Sequence, residues 1–505
     1  MREYIAAIDQ GTTGTRCILF DLAGQAVASA YREHEQIFPR PGWVEHDPNE
    51  IRERVDEVVF EARRAAPPGR VLAVGVTNQR ETAVAWNARD GRPAANAIVW
   101  QDTRTAPECR AAIEKGWEDD VRRRTGLPIS TYFSATKFRW LLENQPDVRA
   151  FLLAGELRFG TIDAWVIWNL TGGPRGGAFV TDPTNASRTL LCNLADLRWD
   201  PVLLERFRIP ERAPLPAIVP SIAREPYGYT PADGPFGERV PVCGDLGDQQ
   251  AALAGQGCFA PGEAKNTYGT GSFLLEHVGA APPQSRTGLL ATAACSDAGE
   301  RAYALEGSVA VSGAAVQWLR DNLGLIGSAA ETEAIAESVP DSGGVYFVPA
   351  FSGLFAPHWD MQARGVIVGL TRFAGRAQLV RATLEAIGFQ SREVAEAMVA
   401  DSGRPFSVLK VDGGATANDF LMQLQADILG VPVVRPVVRE TTSLGAAYAA
   451  GLAVGAFAST EALRKLWKAD RTFEPAWSED RREAAYRGWK RAVERTRGWV
   501  ETEGS

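Results

Sequence analysis

One pattern occurs twice in this chain and restricts its possible folds more than any other feature. Tyr4 to Ile8, a Gly/Thr turn, Arg16 to Asp21, a second turn and Ala26 to Tyr31 read as three short strands joined by tight turns. Glu263 to Asn266, the turn Tyr268-Gly-Thr-Gly271, Ser272 to Val278 and Arg301 to Leu305 repeat that theme. A duplicated domain follows. The length of 505 residues agrees, because a single hydrophobic core stops growing at about 250 to 300 residues. The turn-rich stretch from Gly255 to Gly262 lies between the copies, so the expected domains are 1–254 and 255–505.

Helices alternate with these strands. Asp47-Pro48-Asn49-Glu50 combines an N-cap aspartate, a proline in the first turn and a carboxylate three residues on, and it opens a helix with the apolar face Ile51, Val55, Val58, Val59 and Ala62. Val71 to Val76 is a continuous apolar run, as expected of a central parallel strand. The spacing predicts further helices over Ser312 to Asn322, Gln378 to Val399 and Asp419 to Leu429, and a charged helical tail from Glu461 to Ser505 on the outside of the second domain. The class is α/β.

Charge and cysteine usage exclude several roles. A net charge of −8 argues against nucleic acid or an anionic membrane as partner, since both require a basic face. The six cysteines show no metal-site or dithiol spacing and read as buried thiols of a reducing compartment. The first residues lack a secretory apolar region, which suits a cytoplasmic protein. Thr441 to Thr460 carries no charge, but its Ala- and Gly-rich core reads as a tightly packed buried helix rather than a membrane span.

No Gly-Lys dipeptide occurs, so a Walker-type phosphate loop is excluded. Two hairpins offer another way to hold phosphate. Asp9-Gln-Gly-Thr-Thr-Gly-Thr-Arg16 places the amides and hydroxyls of Thr12, Thr13 and Gly14 between strands, with Arg16 as a cation and Asp9 able to hold magnesium through water. Asn266-Thr-Tyr-Gly-Thr-Gly-Ser272, with Thr270 at its tip, faces it from the other copy. Either loop alone is ordinary turn chemistry. A third segment, Val411-Asp-Gly-Gly-Ala-Thr-Ala-Asn418, joins a strand to a helix, and its Gly414 and Asn418 suit a flat ring or phosphate at a helix start. Gly313 and Gln317 open another helix, where they would flank and hydrogen-bond an adenosine.

Asp248, in Gly247-Asp-Gln-Gln-Ala-Ala-Leu253, reads first as a helix cap. As a functional group it would take the proton of an attacking hydroxyl and share a magnesium with Asp9, a modest demand because phosphoryl transfer depends mainly on positioning and charge neutralisation. Arg80 and Glu81 follow the apolar strand ending at Val76. Such neighbours are ordinarily a solvated pair, but open α/β sheets gather ligands at the carboxyl ends of central strands, and a vicinal diol needs both donors and acceptors. Trp100, Tyr132 and Phe273 would wall the pocket.

Together these segments resemble the FGGY family of carbohydrate kinases, and within it the members that act on glycerol. The resemblance runs from Ile5 to about Phe457. It rests on the two hairpins together with Gly42-Trp-Val-Glu-His-Asp-Pro48, Thr77-Asn-Gln-Arg-Glu-Thr82, Tyr132-Phe-Ser-Ala-Thr-Lys137, Gly247-Asp-Gln-Gln250, Tyr303-Ala-Leu-Glu-Gly-Ser308 and Val411-Asp-Gly-Gly414. It implies two ribonuclease-H-like domains of the actin-like ATPase fold flanking a central cleft. The implied activity is magnesium- and ATP-dependent phosphorylation of glycerol to sn-glycerol 3-phosphate with Asp248 as general base, carried out by a homo-oligomer, a dimer or tetramer. A kinase of another polyol, a pentulose or an aldonate, or an ATPase switch of the actin or chaperone kind, is the alternative. Arg80, Glu81, Trp100, Tyr132, Asp248, Gln249 and Phe273 are implied acceptor contacts. Thr12, Thr13, Gly14, Arg16, Thr270, Gly313, Gln317, Gly414 and Asn418 are implied nucleotide contacts. Gly14 stands where members often carry a hydroxyl, leaving only its amide to serve. Ala232 to Glu238 is unlike the Gly- and Lys-rich loop through which some bacterial members bind a sugar bisphosphate.

Overall fold

The computed structural model describes residues 2–295, 300–351 and 353–500. Two open sheets form its frame. The first runs Gly228–Tyr229, Pro241–Gly247, Gly69–Asn78, Arg2–Gln10, Gly14–Phe20, Ala26–Glu33. Its last three strands are the predicted antiparallel meander, and Gly69–Asn78 lies parallel to both Arg2–Gln10 and Pro241–Gly247. Side chains alternate across the sheet, so Tyr4, Ala6 and Ile8 enter one core and Ile5 and Ala7 the other. Burial on both faces explains why Val71 to Val76 is apolar throughout.

The second sheet runs Leu290–Ala293, Tyr303–Val309, Ser272–Gly279, Ala264–Tyr268, Leu409–Asp412, Val433–Pro436, Ala469–Phe473. From Tyr303–Val309 to Val433–Pro436 it repeats the first sheet: three antiparallel strands, then two added in parallel. The duplication read from the sequence is therefore present in the topology. A smaller sheet of Glu45–His46, Ala97–Ile98, Ala83–Asn87 and Leu157–Thr161 is built onto the first half.

Helix Pro48–Ala65 starts as predicted, with the Asp47 carboxylate accepting from Asn49 N at 2.8 Å and the predicted apolar face buried. The expected reciprocal contact from Glu50 does not form. Its carboxylate accepts instead from Glu35 N and Arg54, tying the helix to the chain that precedes it.

The two halves exchange helices. Asp248–Gly255 leaves the first sheet and packs on the second, while Thr441–Ala453 leaves the second and packs on the first. They cross at glycines, and only glycines fit: a Cβ on Gly255 would stand 1.9 Å from Thr441 O, and one on Gly445 1.8 Å from Ala251 O. The chargeless stretch Thr441 to Thr460 is thus this buried helix and the turn after it. Among the described residues no helix is long and apolar enough to cross a membrane.

The charged tail differs from its expectation. Ala469–Phe473 is an edge strand of the second sheet, and helix Glu479–Val493 buries Tyr486 and Trp489 against Phe389. Its tryptophan is core, although the surrounding residues are charged. Residues 501–505 of that predicted tail lie outside the described residues.

Candidate active site

Strand register brings the acceptor residues together. Asp9 and Leu246 both lie opposite Thr77 of the central strand, so the chain beyond Asp9, Asn78 and Gly247 emerges at one sheet edge. Arg80 and Glu81 follow the central strand there, and Asp248 follows its neighbour. The solvated-pair reading fails for Arg80 and Glu81, which are 3% and 2% exposed. Glu81 also has φ 63°, a left-handed conformation that costs a non-glycine residue about 1 to 3 kcal/mol and clusters at functional positions.

Two residues that the sequence reading did not select hold this pair. Arg188 Nε donates to Glu81 Oε1 at 2.6 Å, and Glu306 accepts from both Arg80 Nη atoms at 2.5 and 3.0 Å. Burial works against ionisation of both glutamates. It wins at Glu81, whose carboxyl is pushed up; at Glu306 the guanidiniums of Arg188 and Arg80 override it and hold the carboxyl down to about 2. The difference follows the contacts, because Glu306 meets two guanidiniums at hydrogen-bonding distance and Glu81 one.

Asp248 is the first residue of its helix, not the cap, which is Gly247. Its Oδ1 accepts from its neighbour's amide, Gln249 N, at 2.7 Å and stands 3.1 Å from Arg80 Nε, while Oδ2 accepts from Gln249 Nε2 at 3.2 Å. Gln249 is oriented in turn by Lys265, whose Nζ donates to Gln249 Oε1 at 2.5 Å and to Thr267 Oγ1 at 2.8 Å. An ammonium only donates, so the amide must turn its oxygen to Lys265 and its NH2 to Asp248. Asp9 is half-buried, with Ser443 Oγ at 3.2 Å from Oδ2. Burial, opposed by Arg16 and reinforced by Asp248, pushes its carboxyl up to about 7.

The aromatic wall joins the acceptor site to the first phosphate loop. Trp100, in a turn just beyond the strand Ala97–Ile98, meets Tyr132 edge-on at 5.4 Å and donates from Nε1 to Thr12 Oγ1 at 2.9 Å. Thr12 keeps its own hydroxyl proton to donate. Lys137 Nζ fixes the chain around Tyr132 by donating to the carbonyls of Thr131, Tyr132 and Phe133. Phe273 packs on the cluster containing Leu253, from the helix that Asp248 opens. Behind the loop, Gln79 N donates to Gln10 O and Gln79 Nε2 meets His46 Nδ1, so the Gly42 to Pro48 segment serves as a brace.

On the other side, Thr270 and Gly313 form one unit. Gly313 N donates to Gly269 O and Ala314 N to Thr270 O, each at 3.0 Å, which clamps the second hairpin onto the start of helix Gly313–Asp321. A Cβ at Gly313 would lie 2.6 Å from Gly269 O. Gln317 is exposed one turn further on, and nothing within 4 Å stands where a Cβ of Gly414 would be, so both border open space.

Residues 4–255 match the N-terminal domain and residues 264–454 the C-terminal domain of the FGGY family of carbohydrate kinases. The chain belongs to that family. A glycerol kinase of Mycobacterium tuberculosis strain H37Ra is 58% identical over 503 residues, covering 99% of this chain and 97% of its own. One from Chloroflexus aggregans is 56% identical over 505 residues, 99% of this chain and all of its own. The crystal structure of Plasmodium falciparum glycerol kinase with ADP superposes with a TM-score of 0.91 at 37% identity, covering 99% of each chain. Like its FGGY relatives, the chain has two domains of the actin-like ATPase fold around a cleft.

Arg16 and Asn418, among the expected nucleotide contacts, already have side-chain partners. Arg16 pairs with Glu440 and stacks on Tyr31, and Asn418 caps helix Asp419–Leu429 through Oδ1 while its Nδ2 donates to Thr332. Gly14 has no room for a side chain, since a Cβ would stand 2.5 Å from Arg32 O and 2.6 Å from the Tyr31 hydroxyl. Thr13 is exposed at the loop tip. Arg188 and Glu306 did carry a sequence signal: each is a lone charge in a run of small, apolar or neutral residues, and such a charge must be paired if buried.

Proposed function

We propose that the protein transfers the terminal phosphate of ATP to a hydroxyl of glycerol, giving sn-glycerol 3-phosphate and ADP. The observation that carries this reading is the placement of Asp248. Its carboxylate is oriented by Arg80 and Gln249 beside a buried donor–acceptor pair suited to a diol, at the edge from which the first phosphate loop also emerges. The glycerol kinase names of full-length relatives support the same acceptor.

In this reading Arg80, Glu81 and Gln249 hold the polyol hydroxyls, and Trp100, Tyr132 and Phe273 cover its carbons. The Asp248 carboxylate receives the proton of the attacking hydroxyl. Thr12, Thr13, the Gly14 amide and Arg16 on one side, with Thr270, Gly313, Gln317, Gly414 and Asn418 on the other, hold the nucleotide. Arg16 and Asn418 then exchange a present partner for the ligand.

The carboxylates suit a divalent cation: Asp9 is half-buried and hydrogen-bonded to Ser443, and desolvation and the charge of Asp248 disfavour its ionised form. Asp9, through water, and Asp248 would hold magnesium, which usually takes one or two carboxylates plus substrate phosphates. The ion supplies charge neutralisation at the phosphate oxygens. The domain limits 1–254 and 255–505 remain our division, with the qualification that helix Thr441–Ala453 covers the first sheet. The burial of all six cysteines supports a reducing, cytoplasmic setting, and the exposed Met361, Leu370 and Phe373 support a homo-oligomer.

The test is ADP release with and without glycerol in the presence of magnesium. Release that depends on glycerol supports the reading. A glycerol-independent rate of the same size points to an ATPase switch.

A further inference from the structure

Arg188 and Glu306 lie in different domains, and both are fully buried. They link to each other through Arg188 Nη2 and Glu306 Oε1 at 3.1 Å. With the contacts to Glu81 and Arg80 they make a chain, Glu81–Arg188–Glu306–Arg80, whose four charges sum to zero and whose last member stands 3.1 Å from Asp248. Three members come from the first domain. Glu306 comes from strand Tyr303–Val309 of the second sheet.

The arrangement does more than neutralise charge. A guanidinium is planar and offers its two Nη atoms as one fork; Glu306 fills that fork on Arg80, so the Nε edge must point to Asp248. Arg188 engages Oε1 of Glu81, at a residue whose backbone is already held in the left-handed region, and leaves Oε2 for another donor. Its own Nη1 has no hydrogen-bond partner among the described residues, and its guanidinium lies 5.5 Å from the Tyr132 ring centre and 5.3 Å from that of Phe133. Buried ion pairs are often matched in stability by apolar residues of similar volume, so stability alone does not call for four charges here.

We infer that Arg188 and Glu306 are positioning residues for the acceptor, Arg188 setting Glu81 and Glu306 setting Arg80, so that acceptor affinity depends on one side chain from each domain. The inference rests on the proposed function only for the identity of that acceptor.

Removing either charge alone leaves its partners unbalanced. The decisive variant is therefore the double Arg188→Met/Glu306→Gln, which deletes one charge of each sign, with Arg188→Lys as a charge-conserving companion. Steady-state kinetics against glycerol and against ATP, with a thermal melt of each protein, read the outcome. We expect the glycerol KM to rise about 30-fold or more in the double variant and about 5-fold in Arg188→Lys, while the ATP KM stays within about twofold. A folded double variant whose glycerol KM stays within twofold of wild type overturns the inference, as does an equal rise in both KM values. If the double variant does not fold, an unchanged glycerol KM in folded Arg188→Lys overturns it alone. Should the wild type prefer another acceptor, the glycerol assignment fails, and the same comparison made with that acceptor still decides the roles of Arg188 and Glu306.

Discussion

The two sides of the cleft share a topology but present different chemistry. On the acceptor side the contacts are charged side chains, buried and bonded to one another, as in Arg80, Glu81, Arg188 and Glu306. On the nucleotide side polar side chains are joined by glycines and main chain, as where Gly313 lies against Gly269 O and Gly413, at φ 91°, against Tyr268. The difference matches the ligands proposed for each side. A three-carbon polyol offers only a few hydroxyls, and discrimination requires fixed polar groups that would be left unpaired by the wrong molecule. A nucleotide is large, and phosphate and a flat ring can be held by backbone amides wherever no Cβ intervenes. One side should therefore be sensitive to loss of charge, the other to added bulk.

The largest expected effect is at the acceptor side. Asp248→Asn keeps the shape and the contact with Gln249 N but cannot take a proton, so kcat should fall about 100-fold or more while the glycerol KM changes little. Near wild-type turnover would remove Asp248 from the mechanism. Next comes the nucleotide side. Gly313→Val pushes a side chain into Gly269 O, and we expect the ATP KM to rise about 10-fold with the glycerol KM nearly unchanged. Equal rises in both would mean that the two sides are not separable in this way.

The smallest effect separates two glutamates of neighbouring strands. Leu275 pairs with Glu306 and Glu276 with Leu305, so the glutamates face opposite sides of the sheet. Glu306 meets guanidiniums, whereas burial, opposed only by Ser402 and Arg404, pushes the Glu276 carboxyl up to about 7. A carboxyl raised in the folded state is held protonated there. Its contribution is intact below the ordinary pKa of 4.5 and is lost as pH rises through about 7. Glu276→Gln removes that loss, and its melting temperature should exceed that of wild type by about 3 °C at pH 8 and match it at pH 4.5. Glu306 has the opposite sign: its carboxyl is depressed, so its contribution is present above pH 4.5 and is lost as pH falls toward about 2. A Glu276→Gln protein less stable than wild type at pH 8 would contradict the assignment.

The sheets were legible because strand patterns are local. The meander, its repeat and the apolar central strand each follow from a few neighbouring residues, as does the cap at Asp47. The exchanged helices were not legible, since nothing within Thr441 to Ala453 says which sheet it will cover. The tail misled for the same reason: Trp489 is surrounded in sequence by charge and in space by Phe389 and Tyr486. At the site, Arg80 and Glu81 were found from their position after a strand. The residues that hold them, Arg188 and Glu306, lie 107 and 226 positions further along the chain. Asp248 was read as a cap because local rules favour aspartate there, yet Gly247 takes that place and Asp248 turns its carboxylate to Arg80.

The central claim is that the buried pair beside Asp248 is built for glycerol. It is tested most directly by ATP-dependent kcat/KM across glycerol, erythritol, xylulose, ribulose and gluconate with magnesium present. The account predicts that glycerol leads every other acceptor by about 100-fold or more. A pentulose or gluconate used as well as glycerol, or better, would contradict it.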